Sequence, residues 1–155
     1  MKNCAVILAG GEGKRMKSDK PKTLSEVLGR PMLCWVMSAL RKAGIDDICV
    51  VKGFKKECVE EYLSTLDFSV ESVFQAERLG TGHAVMMAKD FLKKHSGNVV
   101  ILNGDAPFMD SKTIEDSLKA HIENGCAATV ISAKVDDPTL SLIHISEPTR
   151  RVVIS

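Results

Sequence analysis

Short β-prone runs alternate with amphipathic stretches along this chain, and that alternation narrows the fold more than any other feature. Residues 3–9, Asn-Cys-Ala-Val-Ile-Leu-Ala, read as a buried first strand. Residues 47–52, 69–74, 98–102 and 127–133 read as four more, the run 98–102 being continuously apolar. Residues 31–43 predict a helix: Leu33, Val36, Met37 and Leu40 share one face, Pro31 suits the first helical position and Gly44 the stop. Residues 55–65 predict a charged helix with Cys58, Val59, Tyr62 and the following Leu66 inward. Residues 82–95 predict another, burying Ala84, Val85, Ala88, Phe91 and Leu92. In 111–123, Ile114, Leu118 and Ile122 recur at spacing four. Strands that each lead into a helix pair in parallel through right-handed crossovers, with helices on both faces. The expected fold is α/β, Rossmann-like and three-layered, around a mostly parallel sheet.

Composition removes other classes. The chain has 155 residues, 45% hydrophobic and 26% charged, which suits a globular domain and not a disordered one. Twenty-one Lys and Arg against 20 Asp and Glu leave a net charge of +1, so nucleic acid and an anionic membrane are not expected partners. No run reaches the roughly 18 apolar residues of a membrane span. The N-terminal apolar run is too short for a signal peptide and leads into Gly10-Gly11, so a cytoplasmic protein is expected. Cys4, Cys34, Cys49, Cys58 and Cys126 are odd in number and scattered, without C-x-x-C or zinc spacing. They read as reduced thiols.

Parallel α/β sheets bind ligands beyond the carboxyl ends of their strands, so the residues after 9, 52, 74 and 102 carry the functional argument. After the first strand comes Leu8-Ala9-Gly10-Gly11-Glu12-Gly13-Lys14-Arg15-Met16. Three glycines in four residues let backbone N–H groups approach phosphate oxygens. Arg15 adds a fork that fits a phosphate. By itself a Gly-rich turn is also an ordinary way to leave a strand, and this one is neither a Walker A loop nor a dinucleotide fingerprint. Pro21 stiffens the backbone before Lys22, whose amine suits a phosphoryl group. Gln75-Ala76-Glu77-Arg78-Leu79-Gly80-Thr81-Gly82-His83-Ala84 follows the third strand, and Asn103-Gly104-Asp105-Ala106-Pro107 the fourth. Asp105, at a strand end, is a natural Mg²⁺ ligand, or else a turn residue. His83 reads as structural and His95 as a helix-end residue.

G-G-x-G-x-R-M with a downstream P-K resembles the signature of the sugar-phosphate nucleotidyltransferases. With Q-A-E-x-L-G-T-G-H-A, N-G-D-A-P and Asp136-Asp137-Pro138-Thr139, residues 3–139 resemble the N-terminal part of one family among them. These are the bacterial bifunctional N-acetylglucosamine-1-phosphate uridyltransferase/glucosamine-1-phosphate acetyltransferases. The resemblance implies transfer of UMP from UTP to N-acetylglucosamine 1-phosphate with Mg²⁺, releasing pyrophosphate, for cell-wall and lipopolysaccharide precursors. Leu8, Ala9, Gly10 and Gly11 would then hold the nucleotide, Arg15 the leaving phosphates and Lys22 the α-phosphate. Gln75, Gly80 and Thr81 match uracil-contacting positions. Asn103, Gly104 and Asp105 complete the substrate site, Asp105 being the metal ligand; Asn103 departs from the aromatic residue common there. Two alternatives stay open: another sugar-phosphate or cytidylyl nucleotidyltransferase, and a non-catalytic nucleotide-binding module.

After Thr139 the family continues Gly-x-Gly-Arg, whereas this chain reads Leu140-Ser141-Leu142-Ile143-His144-Ile145 and on to Ser155. The segment 140–155 reads as a translated sequencing-library adapter, the alternative being a divergent tail. On that expectation the fold is incomplete at its C-terminus. It lacks the sugar-holding residues, the second metal ligand and the acetyltransferase domain through which the family forms homotrimers, and it is inactive alone.

Overall fold

The computed structural model describes residues 2–13, 20–77 and 79–132. Two compact units divide the chain, Met1–Ser111 and Lys112–Ser155. The first holds a four-stranded sheet built from β1 (Cys4–Ala9), β4 (Asp47–Lys52), β5 (Glu71–Phe74) and β6 (Val99–Asn103). Its order is β5-β4-β1-β6, and every pairing is parallel. In register, Ala9 stands opposite Lys52 and Leu8 opposite Asn103, so three strands end at one level.

β1 is an interior strand, and its Val-Ile-Leu run is what a strand enclosed on both faces requires. Cys4, Val6, Cys49 and Val51 form one face and pack with Ala84, Ala88 and Phe91. Ala5, Ile7, Ile48 and Val50 alternate onto the other face and are equally buried, at most 2% exposed. Burying a side chain such as Ile7 contributes roughly 1.5–3 kcal/mol.

The helices follow the apolar period. α1 (Met32–Lys42) buries Leu33, Val36, Met37 and Leu40, as expected. Pro31 caps this helix from outside with φ −53° and ψ 141°, instead of opening it. The reason is a small hairpin that the sequence reading did not anticipate. β2 (Glu26–Val27) and β3 (Arg30–Pro31) pair antiparallel, so Pro31 is still extended. Leu28 (φ 52°) and Gly29 (φ 73°) make the two-residue turn with both φ values positive. The indole of Trp35 donates to the Val27 carbonyl at 2.8 Å and ties the hairpin to α1.

α2 (Lys56–Ser64) buries Val59, while Cys58, Tyr62 and Leu66 are only half-buried. The helix expected over 82–95 starts at Thr81 and is two pieces, α3 (Thr81–Met87) and α4 (Lys89–Leu92), joined at Ala88. Ala84, Ala88 and Phe91 are its buried residues; Val85 and Leu92 are half-buried. β6 corrects a second expectation. It is an outer strand among the described residues, with Val99 41% and Ile101 48% exposed, so it is buried on one face only.

The second unit holds α5 (Ser111–Glu123). Ile114 is buried as expected, but Ile122 is 59% exposed and Ser117 is buried in place of Leu118. The strand expected over 127–133 does not form at 127–132, where no pairing is made among the described residues and Val130 is 69% exposed. An apolar run becomes a strand only where a neighbour accepts its hydrogen bonds. Among the described residues no helix is long and apolar enough to cross a membrane.

Candidate active site at the strand ends

The chain runs β1, β4, β5 outward in one direction and returns with β6 on the other side of β1. In such a sheet the crevice lies beyond the carboxyl ends of the two strands where the order reverses. Those are β1 and β6, which lead into Gly10-Gly11 and Gly104-Asp105. All the described candidate residues belong to the first unit.

The loop after β1 is held from behind. Phe54 donates its backbone N–H to the Gly10 carbonyl at 3.2 Å, so the exits of β1 and β4 run side by side. A Cβ on Gly53 would stand 2.6 Å from the Gly10 oxygen and 2.7 Å from its Cα, so only glycine permits this approach. Among the described residues, a Cβ on Gly11 would meet nothing within 4 Å. Gly13 has φ +62°, and a Cβ on it would stand 2.7 Å from Lys22 Cβ. The glycine loop and the Lys22 segment therefore touch.

Lys22 opens a 3-10 turn, Lys22–Leu24, preceded by Pro21 at φ −52° and ψ 137°. Leu24 donates back to the Pro21 carbonyl at 2.9 Å, which fixes where Lys22 points. Its Nζ is 2.5 Å from Asp105 Oδ2, across 83 residues of sequence. Both side chains remain about one-third exposed, 36% and 34%, so the pair is open to exchange with a ligand. Gly104 donates to the Leu8 carbonyl at 2.9 Å, which carries Asp105 to the crevice. Asn103 and Thr81 are exposed, Thr81 as the first residue of α3.

On the other side, Gln75 follows β5 and donates its backbone N–H to the Lys52 carbonyl at 2.8 Å. Its side chain is 5% exposed, contacts the Gly80 carbonyl and His83, and directs Oε1 at Gly10. Lys52 is buried beside it, and Glu60 answers its charge at 2.5 Å. That hydrogen bond holds the Glu60 carboxyl below its usual range.

Leu8, Ala9, Gly10 and Gly11 thus lie between Gln75 and Gly80 on one flank and Lys22, Gly104 and Asp105 on the other. Arg15 lies outside the described residues, as does the segment 140–155. Two contributors escaped the sequence reading. Gly53 was legible in principle, since it and Gly10 each follow a strand and the two strands pair Ala9 with Lys52. Thr23, whose Cγ2 lies 3.0 Å from the place of a Cβ on Gly104, gave no signal.

Comparisons with known proteins agree with this fold. The chain is 50% identical over 139 residues to "Bifunctional protein GlmU" of Clostridium beijerinckii, covering 90% of this chain and 30% of that protein. It is 48% identical over 139 residues to the protein of the same name from Clostridium tetani, with the same coverage. The chain therefore spans less than a third of the length of these curated relatives. A solved structure of UDP-glucose pyrophosphorylase from Acinetobacter baumanii matches with TM-score 0.71 at 25% identity, over 84% of this chain and 56% of that one. Residues 5–150 match the model of the MobA-like NTP transferase domain. With a parallel sheet, a glycine loop at its switch point and nearly its whole length inside that match, the chain belongs to the MobA-like NTP transferase domain family.

Proposed function

We propose that this nucleotidyltransferase chain carries the UTP-binding part of an enzyme that makes UDP-N-acetylglucosamine. A phosphate oxygen of N-acetylglucosamine 1-phosphate attacks the α-phosphorus of UTP; the bond from that phosphorus to the β-phosphate oxygen breaks, and pyrophosphate leaves. The observation that carries the reading is the Lys22–Asp105 pair, placed against the glycine loop at the switch point. Such transfer needs charge neutralised and oxygens aligned more than it needs a general base.

In the resting arrangement each partner masks the other's charge. When a triphosphate enters, Lys22 exchanges the Asp105 carboxylate for phosphate oxygens, and the loop Gly10-Gly11 offers backbone N–H groups. Arg15 takes the β,γ-phosphates in this reading, and Gln75, Gly80 and Thr81 take the uracil. Asp105 suits Mg²⁺, because that ion takes one or two carboxylates and fills its octahedron with phosphate oxygens and water. When bound, Mg²⁺ supplies neutralisation of the phosphate charge. Among the described residues no group of three acidic, His or Cys side chains forms a fuller metal cage. The chain alone is expected to bind UTP. Supporting this choice of substrates, the curated relatives named above share about half of their aligned residues with it.

Equilibrium binding of UTP, CTP and dTTP, with and without Mg²⁺, tests the reading. UTP should bind tightest, Lys22→Ala should weaken it, and Asp105→Asn should abolish the Mg²⁺ dependence. Tighter binding of CTP or dTTP would overturn the assignment to uridylyl transfer.

A further inference from the structure

The Gln75 side of the crevice rests on one buried amide. Gln75 Nε2 stands 3.2 Å from the Gly80 carbonyl oxygen and 3.1 Å from His83 Nδ1. A carbonyl oxygen only accepts, so the Gln75 atom facing Gly80 is the NH₂ and not the C=O. One of its two hydrogens goes to Gly80 and the other to His83. The Nδ1 of His83 is therefore the unprotonated ring nitrogen, with the proton on Nε2. Both amide hydrogens are then committed, and the carbonyl is what Gln75 has left to present. Its Oε1 lies 3.0 Å from where a Cβ on Gly10 would stand, on the side of the glycine loop.

We infer that His83 is a positioning residue: it locks the Gln75 amide with its carbonyl toward the nucleotide loop and thereby sets which nucleobase the site accepts. The identity of the favoured base rests on the uridylyl reading above. A fixed carbonyl acceptor meets the ring N–H of uracil with a hydrogen bond. The corresponding ring nitrogen of cytosine carries a lone pair, and the two acceptors oppose each other. Without His83 one amide hydrogen loses its acceptor, the Gly80 carbonyl alone holds the other, and the amide can swing its carbonyl from the loop. One hydrogen bond of this kind discriminates by about tenfold.

Dissociation constants for UTP and CTP on the 155-residue chain, in three forms, test this. His83→Phe keeps the ring volume and removes the acceptor; His83→Asn can return an oxygen to the place of Nδ1. The ratio of UTP to CTP affinity should fall about tenfold in His83→Phe and stay near wild type in His83→Asn. Thermal melts report whether each variant is folded, a role in stability alone being unable to move the ratio. Nitrogen-15 NMR of the wild-type chain at neutral pH should find Nδ1 of His83 unprotonated, and decides the matter if His83→Phe does not fold. An unchanged ratio in His83→Phe, or a proton on Nδ1, overturns the inference. A wild-type preference for CTP sinks the uridylyl reading while the His83 role still stands or falls on whether the ratio moves. A wild type indifferent to the base overturns both.

Discussion

Gly53→Ala isolates the contact that holds the glycine loop in place. A Cβ there would lie 2.6 Å from the Gly10 oxygen, 2.7 Å from its Cα and 3.0 Å from its carbonyl carbon. Ordinary van der Waals contact begins near 3.4 Å, so the Gly10 backbone must retreat by about 0.8 Å. Backbone cannot rotate away as a flexible side chain does. The retreat also strains the 3.2 Å hydrogen bond from Phe54 to Gly10. Overpacking of this kind costs about 1–3 kcal/mol. At roughly 2–4 °C per kcal/mol for a chain of this size, melting should fall by several degrees. Nucleotide affinity should fall further than stability does, because the displaced residue is in the loop proposed to hold phosphate. Gly11→Ala is the control, since its Cβ would meet nothing within 4 Å among the described residues. It should melt within about 1–2 °C of wild type, as uncrowded surface substitutions usually stay within ±0.5 kcal/mol. The two variants are to be compared by calorimetry and by UTP titration. Equal melting temperatures for Gly53→Ala and wild type would refute the crowding argument.

Three further outcomes follow from the same contacts. Leu28 is 85% exposed and held at φ 52°, so Leu28→Asn, giving Asn-Gly in the turn, should stabilise by about 1 kcal/mol; no rise in melting temperature would refute the turn assignment. The hydroxyl of Thr23 is buried and meets no partner among the described residues, so Thr23→Val should gain on the order of 1 kcal/mol in a urea titration, whereas a loss would mean the hydroxyl is bonded. Burial pushes the Cys49 thiol up to about 11 and raises Cys4 in the same direction. The folded state therefore keeps these protons longer than the unfolded chain does. The stability they contribute is full below the usual thiol pKa and is lost as pH rises toward 11, which should lower the urea midpoint progressively; a midpoint unchanged through that range would sink the argument.

The residues 3–9 and 47–52 were legible as strands because continuous apolar β-branched runs leave few other ways to bury themselves, and the structure places them within a residue of those limits. The Leu33, Val36, Met37 and Leu40 face of α1 was legible for the same reason, a period matching 3.6 residues. The glycine loop, Lys22 and Asp105 read as groups suited to phosphate and a cation because of their residue types at the ends of strands, whereas Gln75 came only from the family resemblance. What stayed hidden depends on partners far away in sequence. Val99 and Ile101 look buried by composition, yet among the described residues β6 is an outer strand and exposes them. The run 127–132 looks like a strand, but it forms none among the described residues. The sequence by itself determined the alternation of elements, hence a parallel α/β sheet, and the residue types its loops would carry. Only the tertiary structure decided the strand order, and with it that Lys22 meets Asp105 across 83 residues and that Gln75 turns its carbonyl to Gly10. Local periodicity is written in neighbouring residues, whereas a site is made where distant loops converge, and convergence is set by packing the whole sheet.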